Sequence, residues 1–287
     1  MDLQDNATLE QVRLAVRNTL LPKYGERESA TLARLILTSL KGWDLPHLMA
    51  NENREAGPFI VNKVKEITTQ LLADVPVQYA LGTASFYGLT LSVGPGVLIP
   101  RPETEELVEM IIKDNPAPDL KVLDLCTGSG AIALALARNL RFPRIEAIDI
   151  SPSALAYAKE NASKLRVSVK FLKEDIFTVS FDAEEFDIIV SNPPYVDDSE
   201  KKEIEANVLK YEPHEALFVP DVNPLVFYNR IAMIAAYSLK PQGKLYLEIN
   251  PRHAYELKDL LENHHLTDVE IIKDLHGKDR FIKAIKA

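Results

Sequence analysis

From residue 121 onward, short runs dominated by aliphatic side chains alternate with stretches of helical period. The apolar runs fall at 121–125, 144–150, 167–172, 186–191 and 243–249, and the helical stretches at 131–140, 152–164, 225–239 and 254–264. A strand that is followed by a helix returns to the sheet parallel to itself, and the helices then cover both faces. Strands buried on both faces lose the in-out alternation of a half-exposed sheet, as these runs do. The last two runs, 268–273 and 279–285, have no helix between them, only a glycine-containing turn at 276–278. The expectation is an α/β doubly wound sheet with a terminal antiparallel hairpin at one edge.

The first 75 residues read differently. Leu9, Val12, Leu14, Val16 and Leu20 mark one amphipathic segment, and Leu32, Leu35, Ile36 and Leu40 mark a second. Thr8 suits an N-cap, Gly42 and Pro46 a stop, and 59–72 a third helix behind Pro58. A small N-terminal helical bundle follows. Between it and the sheet, Phe86, Leu89, Leu91 and Val93 with Gly88 and Gly94 read as a hairpin, and the acidic run behind Pro100 and Pro102 as the start of a helix. Three regions are expected: a helical domain at 1–75, a linker with hairpin and helix at 76–120, and a sheet domain at 121–287. The 287 residues suffice for two domains.

Composition narrows the function classes. Lys plus Arg number 33 and Asp plus Glu 42, a net charge of −9. That balance argues against a protein that grips DNA mainly through phosphates. The single cysteine, Cys126, excludes an intrachain disulfide framework and fits a reducing compartment. The six histidines are scattered without ligand spacing, so no metal site is expected. The acidic start lacks a signal-peptide pattern, and the longest purely apolar stretch, 131–137, is too short to span a bilayer. A cytoplasmic protein without membrane association is expected.

Two constellations carry chemistry. The first is Cys126-Thr127-Gly128-Ser129-Gly130, between the first strand of the sheet and its helix. Open α/β sheets bind ligands at that end, and the glycines let backbone turn tightly beside one. Asp149 closes the next strand, where an acidic side chain can hold a ribose hydroxyl pair. Together they read as a nucleoside site. The spacing departs from G-x-G-x-x-G, which makes a nicotinamide site the poorer reading; a purely structural turn is the bland alternative for the glycines.

The second is Asn192-Pro193-Pro194-Tyr195, after the apolar run 187–190 and thus at the same sheet edge. Asn192 offers an amide oxygen. Pro194 has no N–H and holds Pro193 out of the helical region, which fixes the direction of the Pro193 carbonyl. Tyr195 offers a flat face. Two acceptors beside a flat surface suit a planar –NH₂ group. With S-adenosylmethionine in the nucleoside pocket, the acceptors would turn the amino lone pair toward the methyl carbon. Cys126 itself reads as a small packed residue rather than a nucleophile. Lys201-Lys202 with Glu200, Glu203 and Glu205 reads as a solvated face, with a lid formed by 197–215 behind the second loop as the functional alternative.

At these residues the chain resembles the release-factor glutamine methyltransferases, the PrmC/HemK family. Asn-Pro-Pro-Tyr alone is shared with amino-methyltransferases acting on bases. The wider likeness runs through Val77-Gln78-Tyr79, Phe86-Tyr87-Gly88-Leu89, the stretch 95–105 ending Pro100-Arg101-Pro102-Glu103-Thr104-Glu105, Tyr211-Glu212-Pro213 and Leu247-Glu248-Ile249. The resemblance implies a Rossmann-like methyltransferase sheet and methyl transfer to the side-chain amide nitrogen of the glutamine in a Gly-Gly-Gln loop of peptide-chain release factors. It implies that Cys126, Thr127, Gly128, Ser129, Gly130, Asp149, Ile176 and Asn192 contact the methyl donor. It also implies that Asn192, Pro193, Pro194 and Tyr195 bind the glutamine, with Asn192, Pro193 and Tyr195 catalytic. The helical domain would recognise the release factor, and the chain would act as a monomer. Two departures stand out: Cys126 and Asn250 occupy positions where glycine is frequent. An enzyme methylating an exocyclic amine of a nucleic-acid base, and a binding module that has kept only the cofactor fold, are the competing readings.

Overall fold

Thr8 sets the start of the first helix. Its hydroxyl accepts from Gln11 N and the Gln11 side chain accepts from Thr8 N, a reciprocal cap. This computed structural model describes Met1 and residues 3–287; Asp2, part of the acidic start, lies outside the described residues. Helix α1 (Leu9–Lys41) is interrupted at Gly25, whose φ of 71° and ψ of 179° are not helical, so the two expected segments survive as two halves. Gly42 ends it in the left-handed conformation. Leu9, Val12, Val16 and Leu20 point inward, whereas Leu14 and Leu35 are exposed: they fall outside the i, i+3, i+4 stripe. Pro46 is no stop. It lies in the first turn of the short α2 (Leu45–Ala50), capped by Asp44. Helices α3 (Pro58–Leu72) and α4 (Val77–Leu81) complete this set, with α1 packed on α3 around Val12, Val16, Ile36, Val61 and Val64. The first compact unit comprises residues 1–83 and 206–211; the second, 84–205 and 212–287.

Strands β1 (Thr83–Phe86) and β2 (Leu89–Ser92) form the expected hairpin. Its turn is Tyr87-Gly88, both at positive φ, a conformation that matches strand twist. Helix α5 (Pro102–Asp114) begins at Pro102 and carries Glu103 and Glu105 in its first turn, where free N–H groups favour negative charge.

The sheet domain then alternates: β3 (Lys121–Leu125), α6 (Ala131–Asn139), β4 (Arg144–Asp149), α7 (Pro152–Leu165), β5 (Lys170–Lys173) and β6 (Phe186–Ser191). After β6 come a two-residue strand β7 (Val196–Asp197), α8 (Ala206–Tyr211) and β8 (Phe218–Val219), which the hydrophobic pattern does not signal. Helix α9 (Val226–Ser238), β9 (Leu239–Glu248), α10 (Ala254–Asn263), β10 (Leu266–Lys273) and β11 (Asp279–Lys286) close the chain. Strand β5 starts later than 167 because Arg166 ends α7 at positive φ and leaves Val167 in the turn.

Seven strands form one sheet in the order β10-β11-β9-β6-β3-β4-β5. All neighbours are parallel except β11, which runs antiparallel between β9 and the edge strand β10. The doubly wound sheet with a terminal hairpin is as the sequence implies. One apolar core lies on each face: Leu123, Leu125, Ile189 and Leu247 with α9 and α10 on one, Val122, Ile188 and Val190 with α5 and α6 on the other. The chain leaves β3 toward β4 and β5, then returns to β6 on the opposite side. That reversal opens a crevice at the carboxyl ends of β3, β4 and β6.

Candidate active site

The register of β3 and β6 places both loops together. Leu125 is paired with Ser191, and the Ser191 hydroxyl donates to the Leu125 carbonyl at 2.7 Å. The loop after β3 and the loop after β6 therefore leave the sheet side by side.

The first loop is held by two carboxylates. Asp124, fully buried on β3, accepts from the Thr127 hydroxyl at 2.6 Å and from Ala133 N at 3.2 Å. Its other oxygen, Oδ1, has no hydrogen-bond partner among the described residues. Burial pushes this carboxyl up to about 7. Asp149 accepts from Gly128 N at 2.8 Å and from Ser151 N at 2.9 Å, so its carboxylate is fixed between the loop and the start of α7. Burial raises its pKa as well, against the pull of these N–H donors. Gly128 sits at φ +56°, with open space where a Cβ would stand; Gly130 sits at +81°, where a Cβ would press on Leu134 and Ala158. Cys126 adopts φ +60° with a side chain present, a strained conformation that glycine would relieve. Burial also pushes its thiol up, which disfavours the thiolate.

These groups border a cavity of 310 Å³. Cys126, Thr127, Gly128, Ser129, Asp149, Ile176, Asn192 and Pro194 all line it. Gly130, Pro193 and Tyr195 are not among the lining residues. Pro193 is buried, and the ring of Tyr195 packs against the core while its hydroxyl donates to Glu248 Oε1 at 2.9 Å. The surface expected to stack on substrate is thus largely occupied by packing.

Several lining residues carry no local sequence signal for a ligand. Ile150 and Phe177 are exposed members of the lining, and Phe177 leans on Phe227 with ring centroids 4.9 Å apart. Asp175 accepts from Phe177 N and so shapes that corner. From the Pro-Arg-Pro-Glu-Thr-Glu run, Arg101 and Thr104 reach the cavity. Glu212 is buried and anchors that run, accepting from Ile99 N at 3.0 Å and from the Arg101 guanidinium at 2.8 Å. Pro213, Glu215 and Ala216 also border the cavity, within the segment that β7 and β8 bracket by pairing with each other. Asn250 is not a passive replacement for glycine: its amide donates to the Tyr195 carbonyl at 3.1 Å and to Glu200 at 2.6 Å.

A nucleoside-sized cleft at the carboxyl edge of a seven-stranded sheet, with its reversed strand beside the edge, defines a methyltransferase fold. Residues 116–274 match the methyltransferase domain family, and residues 17–82 match the PrmC N-terminal domain. A methyltransferase from Pyrococcus furiosus shares the fold, with a TM-score of 0.51 and 19% identity over 76% of this chain and 97% of that one. The release factor glutamine methyltransferase of Bacteroides thetaiotaomicron is 41% identical over 277 residues, 96% of this chain and 99% of the relative. That of Flavobacterium psychrophilum is 48% identical over 264 residues, 91% and 93% of the two chains. The chain belongs to the release factor glutamine methyltransferase family.

Proposed function

We propose that this protein transfers a methyl group from S-adenosylmethionine to the side-chain amide nitrogen of the glutamine in the Gly-Gly-Gln loop of peptide-chain release factors. The observation that carries the reading is the junction of the two loops: a fixed acidic residue for a nucleoside and an amide acceptor open onto one cavity.

The residues fit such a donor. Asp149 keeps lone pairs for ribose hydroxyls after its two backbone contacts. Ile150, Ile176 and Phe177 offer apolar walls for a purine ring. Gly128 leaves room for close approach of the ligand to backbone. Asp149, Glu174, Asp175 and Glu215 make the lining acidic, and Arg101 is neutralised by Glu212, so the field suits a ligand with a permanent positive charge. When bound, the donor supplies an electrophilic methyl on a sulfonium centre.

The chain's own residues then solve the problem of a poor nucleophile. An amide nitrogen shares its lone pair with its carbonyl. Asn192 Oδ1 accepts one of its hydrogens at the cavity wall, and the Pro193 carbonyl, set back from the lining, is assigned the other; together they orient the lone pair and favour the charge that grows on nitrogen. Tyr195 closes the loop through Glu248 rather than by contact with the carboxamide. The helical unit at 1–75 is assigned to holding the body of the release factor, and 76–120 to joining it to the sheet domain.

Labelled donor supplied with release factor, with release factor whose loop glutamine is alanine, and with RNA tests this directly. Label is expected only on the first. Label confined to RNA would instead favour the base-methylating alternative. Asn192→Ala is expected to keep donor affinity while kcat falls about 10²–10³-fold; an unchanged kcat would contradict its role.

A further inference from the structure

Two features of the chain are unused by that mechanism: Thr104, in the acidic run that opens α5, and Glu248, at the end of β9. Both are buried, at 4% and 1% exposure. They meet beside Asn192. The Thr104 hydroxyl donates to Glu248 Oε2 at 2.6 Å, Tyr195 donates to Glu248 Oε1 at 2.9 Å, and Asn192 Nδ2 donates to Thr104 Oγ1 at 3.3 Å.

Burial raises the Glu248 pKa, while the Thr104 and Tyr195 hydroxyls and the Arg280 charge favour the ionised form; for ionised Glu248 the order of donors in this chain is fixed. A carboxylate only accepts, so both hydroxyls must give their hydrogens to Glu248. A threonine hydroxyl has one hydrogen. Once it is given to Glu248, Thr104 presents only lone pairs to Asn192. An amide that turned its oxygen toward Thr104 would set acceptor against acceptor. The NH₂ of Asn192 therefore faces Thr104, which leaves Oδ1 as the acceptor that this cavity-lining side chain has to offer.

We propose that Thr104 and Glu248 are positioning residues that lock the Asn192 amide with its oxygen toward the substrate, so that the site takes a carboxamide by its nitrogen and rejects a carboxylate. The proposal rests on the glutamine reading above. A flipped Asn192 would present NH₂ instead. It would then hold a carboxamide by its oxygen, with nitrogen turned away from the methyl, and would welcome a carboxylate that the locked form repels. The lock thus governs which atom is methylated and which side chain is admitted, through the orientation of Asn192.

Three full-length variants test it: Thr104→Val, which keeps shape and removes the hydroxyl, Thr104→Ser, which restores it, and Glu248→Gln. The Glu248→Gln change reverses the chain. With its oxygen accepting from Tyr195, its NH₂ donates to Thr104 and the Thr104 hydrogen is released toward Asn192. Donor affinity is read by calorimetry, kcat and KM with release factor, and inhibition with release factor whose loop glutamine is glutamate. Thr104→Val and Glu248→Gln are expected to keep donor affinity and KM near wild type while kcat falls about 10²-fold, the scale of a misplaced reacting group. Both are expected to be inhibited by the glutamate form more strongly than wild type is, and Thr104→Ser is expected to recover kcat. Wild-type kcat in both Thr104→Val and Glu248→Gln would overturn the proposal, and so would a loss that serine does not recover or inhibition by the glutamate form that stays at the wild-type level. Should Thr104→Val lose donor binding through misfolding, Glu248→Gln decides alone. A wild-type chain inactive on release factor would overturn the glutamine reading itself; an active wild type with unmoved variants overturns only the lock.

Discussion

Asp124 is the residue on which the first loop turns. It sits on the sheet face that packs on α6, where every neighbour on the strand is apolar, and it ties Thr127 and the first turn of α6 to β3. Its folded pKa of about 7 lies above the ordinary value of 3.8 because burial disfavours the charge. The sign follows: between these values the folded chain holds a proton that the unfolded chain has released, so stability falls as pH rises through the window. Asp124→Asn has no such proton to lose. Wild-type stability measured against that variant is expected to fall by on the order of 4 kcal/mol between about pH 4 and about pH 8. Urea unfolding of both proteins across that range checks it; a pH-independent difference would show that the buried carboxyl is ionised throughout. No local motif marks Asp124 apart from any strand residue preceding a loop. Its weight comes from desolvation, which depends on what the sheet stacks against it.

At the scale of elements, β4 and the loop after β3 act as one device through Asp149. Removing the carboxylate takes away a charged acceptor from Gly128 N and from the ligand. Asp149→Ala is expected to weaken donor binding by about 1–3 kcal/mol. Titration calorimetry with the donor or its demethylated product measures this, and an unchanged affinity would contradict the ribose assignment. The elements that hold these residues were readable because each is locally consistent: apolar strands, alanine-rich or capped helices, a glycine at the turn of the hairpin. Residues 186–191 form β6 as their apolar run implies, and Thr8 caps α1 as its hydroxyl implies. Other elements left no such trace. Strands β7 and β8 are two residues each and exist only because distant segments pair, which no periodicity announces. The two halves of α1 are identified from their stripes, but Leu14 and Leu35 show that a leucine near the stripe is not a leucine on it.

The whole molecule explains why the candidate site was partly legible. Cys126, Thr127, Gly128, Ser129, Asp149 and Asn192 reach one cavity because parallel strands deliver the ends of β3, β4 and β6 to one edge, and strand-loop-helix order is written locally in the chain. The Asn192-Thr104-Glu248-Tyr195 chain was not legible as a unit. Its members lie in a loop, a helix and a strand separated by up to 144 residues, and only the folded arrangement gives each hydroxyl its partner. Among the described residues no helix is long and apolar enough to cross a membrane. The proposed function turns on one carboxamide held by Asn192 and the Pro193 carbonyl with its nitrogen toward the methyl donor. A crystal structure of the full chain with the demethylated donor and a Gly-Gly-Gln peptide measures that orientation directly. The glutamine nitrogen is expected to lie within hydrogen-bond reach of Asn192 Oδ1 and the Pro193 carbonyl, with the donor sulfur facing it. A glutamine bound by its oxygen, or a sulfur turned away from the nitrogen, would contradict the account.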